Sequence, residues 1–497
     1  MDSARRSVWL AALAGALFPL GLAPFDLWPL ALAAVAVLFV CLEAVSPRRA
    51  ALVGWAFGAG KYGVGASWIY VSIHDYGPAP VWLAGSLVAL FVAAMALFPA
   101  AASFAYVRWL RGSSPLGRAF GFAAAWSALE WLLTWFLTGF PWLFLGYAQL
   151  HDPLRHWAAV GGVLWVGWLA AFSTVLAVVA GQRATAPRHR LPIVVAAMLP
   201  WLLALPLGAV NWTEPGRAGT VALVQGDIPQ DAKWHEETVV PIMETYRRLT
   251  APYWQRDLVI WPEAAVTVFV QQAEPFLMAM DALAERGGAA LLLGIPSYER
   301  LPDDAVVFRN SAMVIGRGDG SYSKRRLVPF GEYVPLERLL RGLIAFFDLP
   351  MSHAAPGAMQ QPLLRAGAWR VATAICYEVA YPELVRRDAR DADVIVTISN
   401  DSWFGRSIGP HQHLQMAAMR ALENGRWVLR ATNSGITAII APDGVVTQRL
   451  PQFEAAVLDG TFSGMTGVTP YGRWGNALLF AAVVASVAAA LLLRRRT

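Results

Sequence analysis

Eight stretches of 18 to 27 residues, nearly free of charge, dominate this chain, at positions 7–24, 27–45, 51–73, 81–107, 119–140, 160–180, 191–210 and 476–493. A bilayer core of about 30 Å takes roughly 20 apolar residues as a helix, and a helix satisfies its own backbone where no water can. The runs therefore predict a multi-pass α-helical membrane domain of eight transmembrane helices. Only 15% of residues are charged and the mean hydropathy is +0.45, against about 25% charged in ordinary soluble domains. A wholly soluble enzyme is excluded, and 22 Trp with 23 Phe exclude a disordered chain.

The net charge of +6 does not point to nucleic acid, because the basic residues stand at the ends of the apolar runs: Arg5 and Arg6, Arg48 and Arg49, Arg108, Arg111 and Arg118, Arg183, Arg188 and Arg190, and Arg494 to Arg496. The alternate connections, around Phe25, around His74 and from Gly146 to Trp157, carry only Arg155. Basic loops stay cytoplasmic, so both termini are expected inside, with the segment after Val210 on the outer side. The first run begins like a signal peptide, but a second run follows at once, so a retained helix is expected.

From about Thr213 to Tyr471 the texture changes to short β-rich runs alternating with amphipathic stretches, broken by Gly, Pro, Asn and Asp. This predicts an α/β domain outside the membrane. The expected organisation is 1–212 as seven transmembrane helices, 213–471 as this globular domain, and 472–497 as the eighth helix with its basic tail. Thr213-Glu214-Pro215-Gly216 reads as a linker, with the first strand beginning near Thr220.

Cys376 follows the apolar run Val371 to Ile375 and precedes a helix opened by Pro382, a strand-to-turn-to-helix setting that presents a side chain at the end of a sheet. A lone cysteine is more often a small buried hydrophobe, as Cys41 is expected to be. A thiol becomes a useful nucleophile beside a base or a cation. Glu263, after a candidate strand ending at Trp261, and Lys324, in an aperiodic stretch, are the candidates. Of 40 basic residues only Lys61, Lys233 and Lys324 are lysines, which hints at a use for a compact ammonium. Either charge alone reads as a solvated residue. His411 and His413, two apart on a helix, fit packing better than a metal site. Lys61 and Glu130 fall inside proposed spans and are expected to face the bundle interior. Trp126, Trp131, Trp135 and Trp142 read as interfacial anchors.

Trp261-Pro262-Glu263, then Lys324 to Glu332 (KRRLVPFGE), then Ile375-Cys376-Tyr377-Glu378 occur in the order and approximate spacing of a Glu-Lys-Cys triad. With Gly139-Phe140-Pro141-Trp142, Val224 to Gln230, Asn400 to Gly405 and His411 to Met416, the chain resembles the bacterial apolipoprotein N-acyltransferase family, the membrane-bound members of the carbon-nitrogen hydrolase (nitrilase) superfamily. The resemblance implies an αββα sandwich, with Cys376 as nucleophile, Glu263 as general base and Lys324 as oxyanion stabiliser. It also implies Glu332 as a second glutamate, and Trp234, Asn310, Tyr377 and Glu378 as lining or supporting residues. The implied reactants are a phospholipid acyl donor, expected to be phosphatidylethanolamine, and a diacylated apolipoprotein acceptor, with no metal or cofactor and no nucleic acid.

The chemistry is consistent with a membrane setting. Drawing a fatty chain of about 15 methylenes into water, at ~0.8 kcal/mol each, costs on the order of 12 kcal/mol, so the thiol has to be brought to the lipid. Two alternatives remain at this stage: a membrane-anchored amidase or nitrilase using water as acceptor, and a transporter or binding protein whose outer domain has lost chemistry. A segment from Glu332 to Asp348, flanked or lined by Phe330, Leu339, Leu340, Leu343, Phe346 and Phe347, is apolar enough to act as a lid.

Overall fold

The computed structural model describes residues 3–77, 79–183, 185–300, 304, 306–334 and 353–494. The chain divides into a helical unit, Met1–Tyr70, Pro80–Asn211 and Arg473–Thr497, and a second unit, Val71–Ala79 with Trp212–Gly472. From position 335 onward, the segment expected to form a lid lies outside the described residues.

In the helical unit, Val81–Leu110, Pro153–Gly181 and Pro187–Leu207 are long and apolar enough to cross a membrane, while Trp28–Leu42 and Ala477–Leu491 are apolar but shorter. Several helices open on proline, as Pro47–Gly65, Pro115–Leu132 and Pro187–Leu207 do, where the missing N–H has no intrahelical partner to lose. Two apolar runs are less regular than their composition suggests. The run at 81–107 lies within the helix Val81–Leu110 but has one irregular residue, Ala96, between Val81–Met95 and Leu97–Ala105, since Pro99 has no N–H to give to the carbonyl four residues back. The run at 119–140 stops as a helix at Leu132, and Leu137, Thr138 and Gly139 then take positive φ values ahead of Pro141.

Lys61 and Glu130 are both buried. The Lys61 ammonium lies 4.4 Å from the Phe18 ring centroid and 5.1 Å from that of Trp126, and Glu130 Oε1 accepts from the Leu145 backbone N at 2.8 Å. Trp126 and Trp142 are buried too, against Phe18 and Trp68. They are packing residues, which corrects the interfacial role expected for these two.

The second unit is built on two sheets. The first is ordered β13 (Ala456–Gly467), β1 (Thr213–Gln225), β2 (Leu258–Ile260), β3 (Ala290–Arg300), β4 (Val306–Gly316) and β6 (Ser321–Ser323). The other runs β12 (Val446–Arg449), β11 (Ala438–Ile440), β10 (Val428–Thr432), β9 (Val394–Ser399), β8 (Trp369–Ile375), β7 (Leu364–Ala366) and β5 (Gly318–Asp319). Strand alternation assigns each face. Val221, Leu223, Leu258, Ile260 and Leu292 meet Val371, Val394, Val396, Ile398 and Leu429 between the sheets. Ala222, Val224, Val259, Leu291 and Leu293 point the other way, onto the helices Val239–Thr250 and Glu274–Gly287. Helices Pro382–Ala389 and Gly409–Asn424 pack on the second sheet, giving the αββα sandwich. The residues read as a linker are instead the start of β1: Thr213, Glu214 and Pro215 pair with Gly467, Thr466 and Met465, and the register shifts between Pro215 and Ala218, as a proline in a strand requires.

The parallel strands β1, β2 and β3, and β8, β9 and β10, end in loops that carry the polar residues of interest, as open α/β sheets do. Gly294 makes one of these loops possible. A Cβ there would stand 2.5 Å from the Pro262 carbonyl oxygen and 2.7 Å from the Glu263 Cα, so the loop after β2 crosses β3 only over a glycine. Gly294→Ala is expected to cost about 1–3 kcal/mol by overpacking and to displace Glu263. A thermal melt together with an activity assay would check this, with activity falling further than stability alone explains.

Candidate active site

Glu263 is held on that loop by the core beneath it. The Trp261 backbone N donates to the Leu292 carbonyl at 2.9 Å, and the indole N–H donates to Thr250 Oγ1 at 2.8 Å. Ala264, with φ +47°, then turns the chain sharply. The carboxylate is 6% exposed. Its Oε1 accepts from Asn310 Nδ2 at 2.7 Å and from Lys324 Nζ at 3.1 Å, and its Oε2 accepts from the Asn400 backbone N at 2.8 Å.

Lys324 continues β6, with its backbone N donating to the Asn310 carbonyl at 2.8 Å. The β4–β6 pairing thus sets Asn310 and Lys324 side by side. Glu332 closes the group: its Oε1 accepts from Lys324 Nζ at 2.8 Å and from Asn310 Nδ2 at 2.9 Å, and its Oε2 from the Val328 N at 2.8 Å. Burial by itself would raise the Glu263 pKa, but the Lys324 ammonium, the Asn310 amide and the Lys233 ammonium outweigh it and hold the carboxyl below its ordinary value. Burial would likewise lower Lys324, and the charges of Glu263 and Glu332 instead raise it well above normal. At neutral pH the site therefore contains carboxylate and ammonium.

Cys376 ends β8 and opens the short turn Cys376–Ala380 with φ +53°. A non-glycine residue in this region costs on the order of 1–3 kcal/mol and persists only where its surroundings over-determine it. They do so from two sides. Buried Glu378 accepts from the Ile375 N and the Tyr322 hydroxyl, both at 2.8 Å, and from the backbone N of Arg325 at 2.7 Å and of Arg326 at 3.2 Å. One carboxylate thereby ties the residue before the cysteine to the residue after the lysine. From below, His413 Nε2 donates to the Cys376 carbonyl at 3.0 Å. His413 Nδ1 faces Asp401 Oδ1 at 2.9 Å, Arg430 Nη2 donates to Asp401 Oδ2 at 2.5 Å, and Ser399 Oγ donates to Asp401 Oδ1 at 2.6 Å.

Burial pushes the Cys376 thiol up, and Glu263 pushes it further, against the opposing Lys324 charge. The resting state is thus a thiol within electrostatic reach of an ionised carboxylate and an ammonium. Such a set can take a proton from sulfur and stabilise negative charge on a nearby oxygen. Tyr377, beside Cys376, is buried with its ring edge-on to Tyr381. Trp234 is half-buried on the turn that also carries Lys233, whose ammonium donates to the Glu263 carbonyl at 3.1 Å.

Of the residues singled out in the sequence, Glu263, Lys324, Asn310 and Glu332 form one hydrogen-bonded group, Cys376 lies within reach of its charges, and Glu378 braces the backbone. Lys233, Asn400, Asp401, His413 and Arg430 were missed as parts of this arrangement. A signal was present for Lys233, one of only three lysines, and for Asn400, Asp401 and His413, within polar motifs that the structure buries.

A family model for a carbon-nitrogen hydrolase matches residues 220–471, and one for the apolipoprotein N-acyltransferase N-terminal domain matches 14–176. The chain is similar to the apolipoprotein N-acyltransferase of Azotobacter vinelandii, 49% identical over 98% of this chain and 95% of that one. The enzyme of the same name from Pseudomonas aeruginosa is 48% identical over 93% and 91% of the two chains, and that from Methylococcus capsulatus 40% identical over 95% and 93%. This chain belongs to the apolipoprotein N-acyltransferase family. Within an acyltransferase of this family, the buried Asp401 group is the support of a strained turn.

The Asp401 carboxyl sits below its ordinary value: burial opposes this, and Arg430 and then His413 outweigh it. The stability it contributes is therefore full above the ordinary Asp value of about 3.9 and is lost as pH falls through the depressed folded value. Asp401→Asn leaves Arg430 buried without its carboxylate and is expected to cost about 3–5 kcal/mol. Melts of wild type and variant should differ most near neutral pH and converge in strong acid.

Proposed function

We propose that the chain transfers an acyl chain from a phospholipid to the α-amino group of the N-terminal, S-diacylglyceryl cysteine of a lipoprotein, the last step of lipoprotein maturation, through a thioester on Cys376. The observation that carries this reading is the strained, partly exposed Cys376 turn set within reach of the Glu263–Lys324 pair, in a chain whose curated relatives bear the name of this activity over nearly their full length.

Glu263 takes the thiol proton as sulfur attacks the donor's ester carbonyl. Lys324 faces the tetrahedral oxyanion, and the C–O bond breaks as Glu263 returns the proton to the departing lysophospholipid alkoxide. The free amine of the acceptor then attacks the thioester, the C–S bond breaks, and the thiol is restored. Both lipids use one thiol, so the cycle is ping-pong. Glu332 and Asn310 hold Lys324 and Glu263 in register, Glu378 braces the nucleophile turn, and Trp234 and Tyr377 line the site. Phosphatidylethanolamine is the proposed donor.

The setting is the bacterial inner membrane, with eight crossings, both termini cytoplasmic and the catalytic domain periplasmic. The proposed boundaries are 1–212, 213–471 and 472–497. The alternation of basic and non-basic connections supports this orientation.

Intact-protein mass spectrometry after incubation with phospholipid and no acceptor tests the reading. Wild type should gain one acyl chain, released by hydroxylamine or by a diacylated lipopeptide that emerges N-acylated, and Cys376→Ala should gain nothing. Release of free fatty acid with no acylated amine would replace the transferase reading with a hydrolase.

A further inference from the structure

Lysine is almost never fully buried unless paired, yet all three lysines of this chain are: Lys61 is 3% exposed, Lys233 0% and Lys324 1%. Each lies within the field of a glutamate, Lys61 with Glu130, Lys324 with Glu263 and Glu332, and Lys233 with Glu263. The acyl-transfer steps above use Lys324 and leave Lys233 without a role. Lys233 stands on a turn locked to the site, since Gln230 Oε1 on that turn accepts from Asn400 Nδ2 at 2.7 Å, and the Asn400 N donates to Glu263. Its ammonium donates to the Glu263 backbone carbonyl, and among the described residues it forms no ion pair with a carboxylate. Its charge is therefore not consumed locally.

We propose that Lys233 is a positioning residue for acyl transfer. Its ammonium fixes the Glu263 turn through the backbone carbonyl and supplies the second positive charge that lets Cys376 give up its proton beside two carboxylates. With Lys233 and Lys324 facing Glu263 and Glu332 the site is electrically balanced, and without Lys233 an anionic sulfur or oxyanion would form in a site already carrying a net negative charge. The groups acting on Lys233 are Glu263, from the loop after β2, and Cys376, from the turn after β8. Lys324 and Glu332 are linked to it through the Glu263 carboxylate, and Asp231 on its own turn is exposed. Burial draws Lys233 down to about 8, with Glu263 and Cys376 opposing, so the second charge is lost in alkaline solution. The proposal rests on Cys376 being the nucleophile.

The test is alkylation of Cys376 by iodoacetamide in the full-length, detergent-solubilised protein across neutral and alkaline pH, read by peptide mass spectrometry. Sulfur displaces iodide and the thiol proton leaves to Glu263 or solvent, so neither lipid nor lipoprotein is needed. Lys233→Gln keeps an N–H donor for the Glu263 carbonyl but no charge. It is expected to alkylate about 10-fold or more slowly at neutral pH, with its profile moved to higher pH, since a neighbouring opposite charge shifts a pKa by about 1–3 units. Lys233→Arg keeps the charge and should restore the position of the profile. Wild type should show a curve shallower than a single ionisation, because loss of either proton makes loss of the other harder. This arm decides the matter if a variant does not fold. Coincident Gln and Arg profiles, or a wild-type curve following one ionisation, would overturn the proposal. If the profile depends on the charge at Lys233 while no thioester forms with phospholipid, this inference stands and the acyl-transfer reading falls.

Discussion

The buried pair of Glu263 and Lys324 is the interaction on which the site depends. Removing two charges from water costs several kcal/mol each, and their mutual attraction offsets this only with good geometry and with the remaining lone pairs and protons satisfied. Both conditions shape the surroundings. Glu263 receives three hydrogen bonds, from Lys324, Asn310 and the Asn400 backbone, and Lys324 divides its protons between Glu263 and Glu332. Those partners come from β4, the end of β6, the loop beyond it, and the loop after β9. The pair thus brings together segments that are far apart in the chain, and it has its full value only when the two sheets are stacked.

The Cys376 turn is held by the same logic with different groups. Cys376 takes a backbone conformation that its own sequence does not favour, and buried polar groups hold it there. Glu378 serves as a molecular staple, since its oxygens accept four hydrogen bonds that join the turn to the Lys324 segment. His413 grips the carbonyl of the cysteine and is itself held against Asp401, which Arg430 neutralises. Glu378 and Asp401 thereby set the position of the Cys376 sulfur.

The helical unit obeys a different solvent rule. In hydrocarbon the constraint is backbone satisfaction, and the apolar run at 191–210 stays helical within Pro187–Leu207 although Pro192, Pro200 and Pro206 lie inside it. The segment around Gly139 is where composition misleads, because hydropathy averages over residues while helix continuity fails at one.

The sequence by itself determined a membrane-associated chain with an α/β domain and, through three ordered short motifs, picked out Glu263, Lys324 and Cys376 as candidates. Apolar length, strand alternation and strand-end motifs are local properties, and a single chain displays them directly. It misjudged the 213–216 segment as a linker, because pairing with β13 is a contact across more than 240 residues. It also read His413 as packing, since helical spacing describes the face of one helix and carries no information about what lies against it. Only the tertiary structure decided which groups Glu378 joins, that Asp401, His413 and Arg430 support the cysteine turn, and that Lys233 points its charge at Glu263. These roles arise where strand ends converge, and burial there turns ordinary polar residues into partners by removing the water that would otherwise satisfy them.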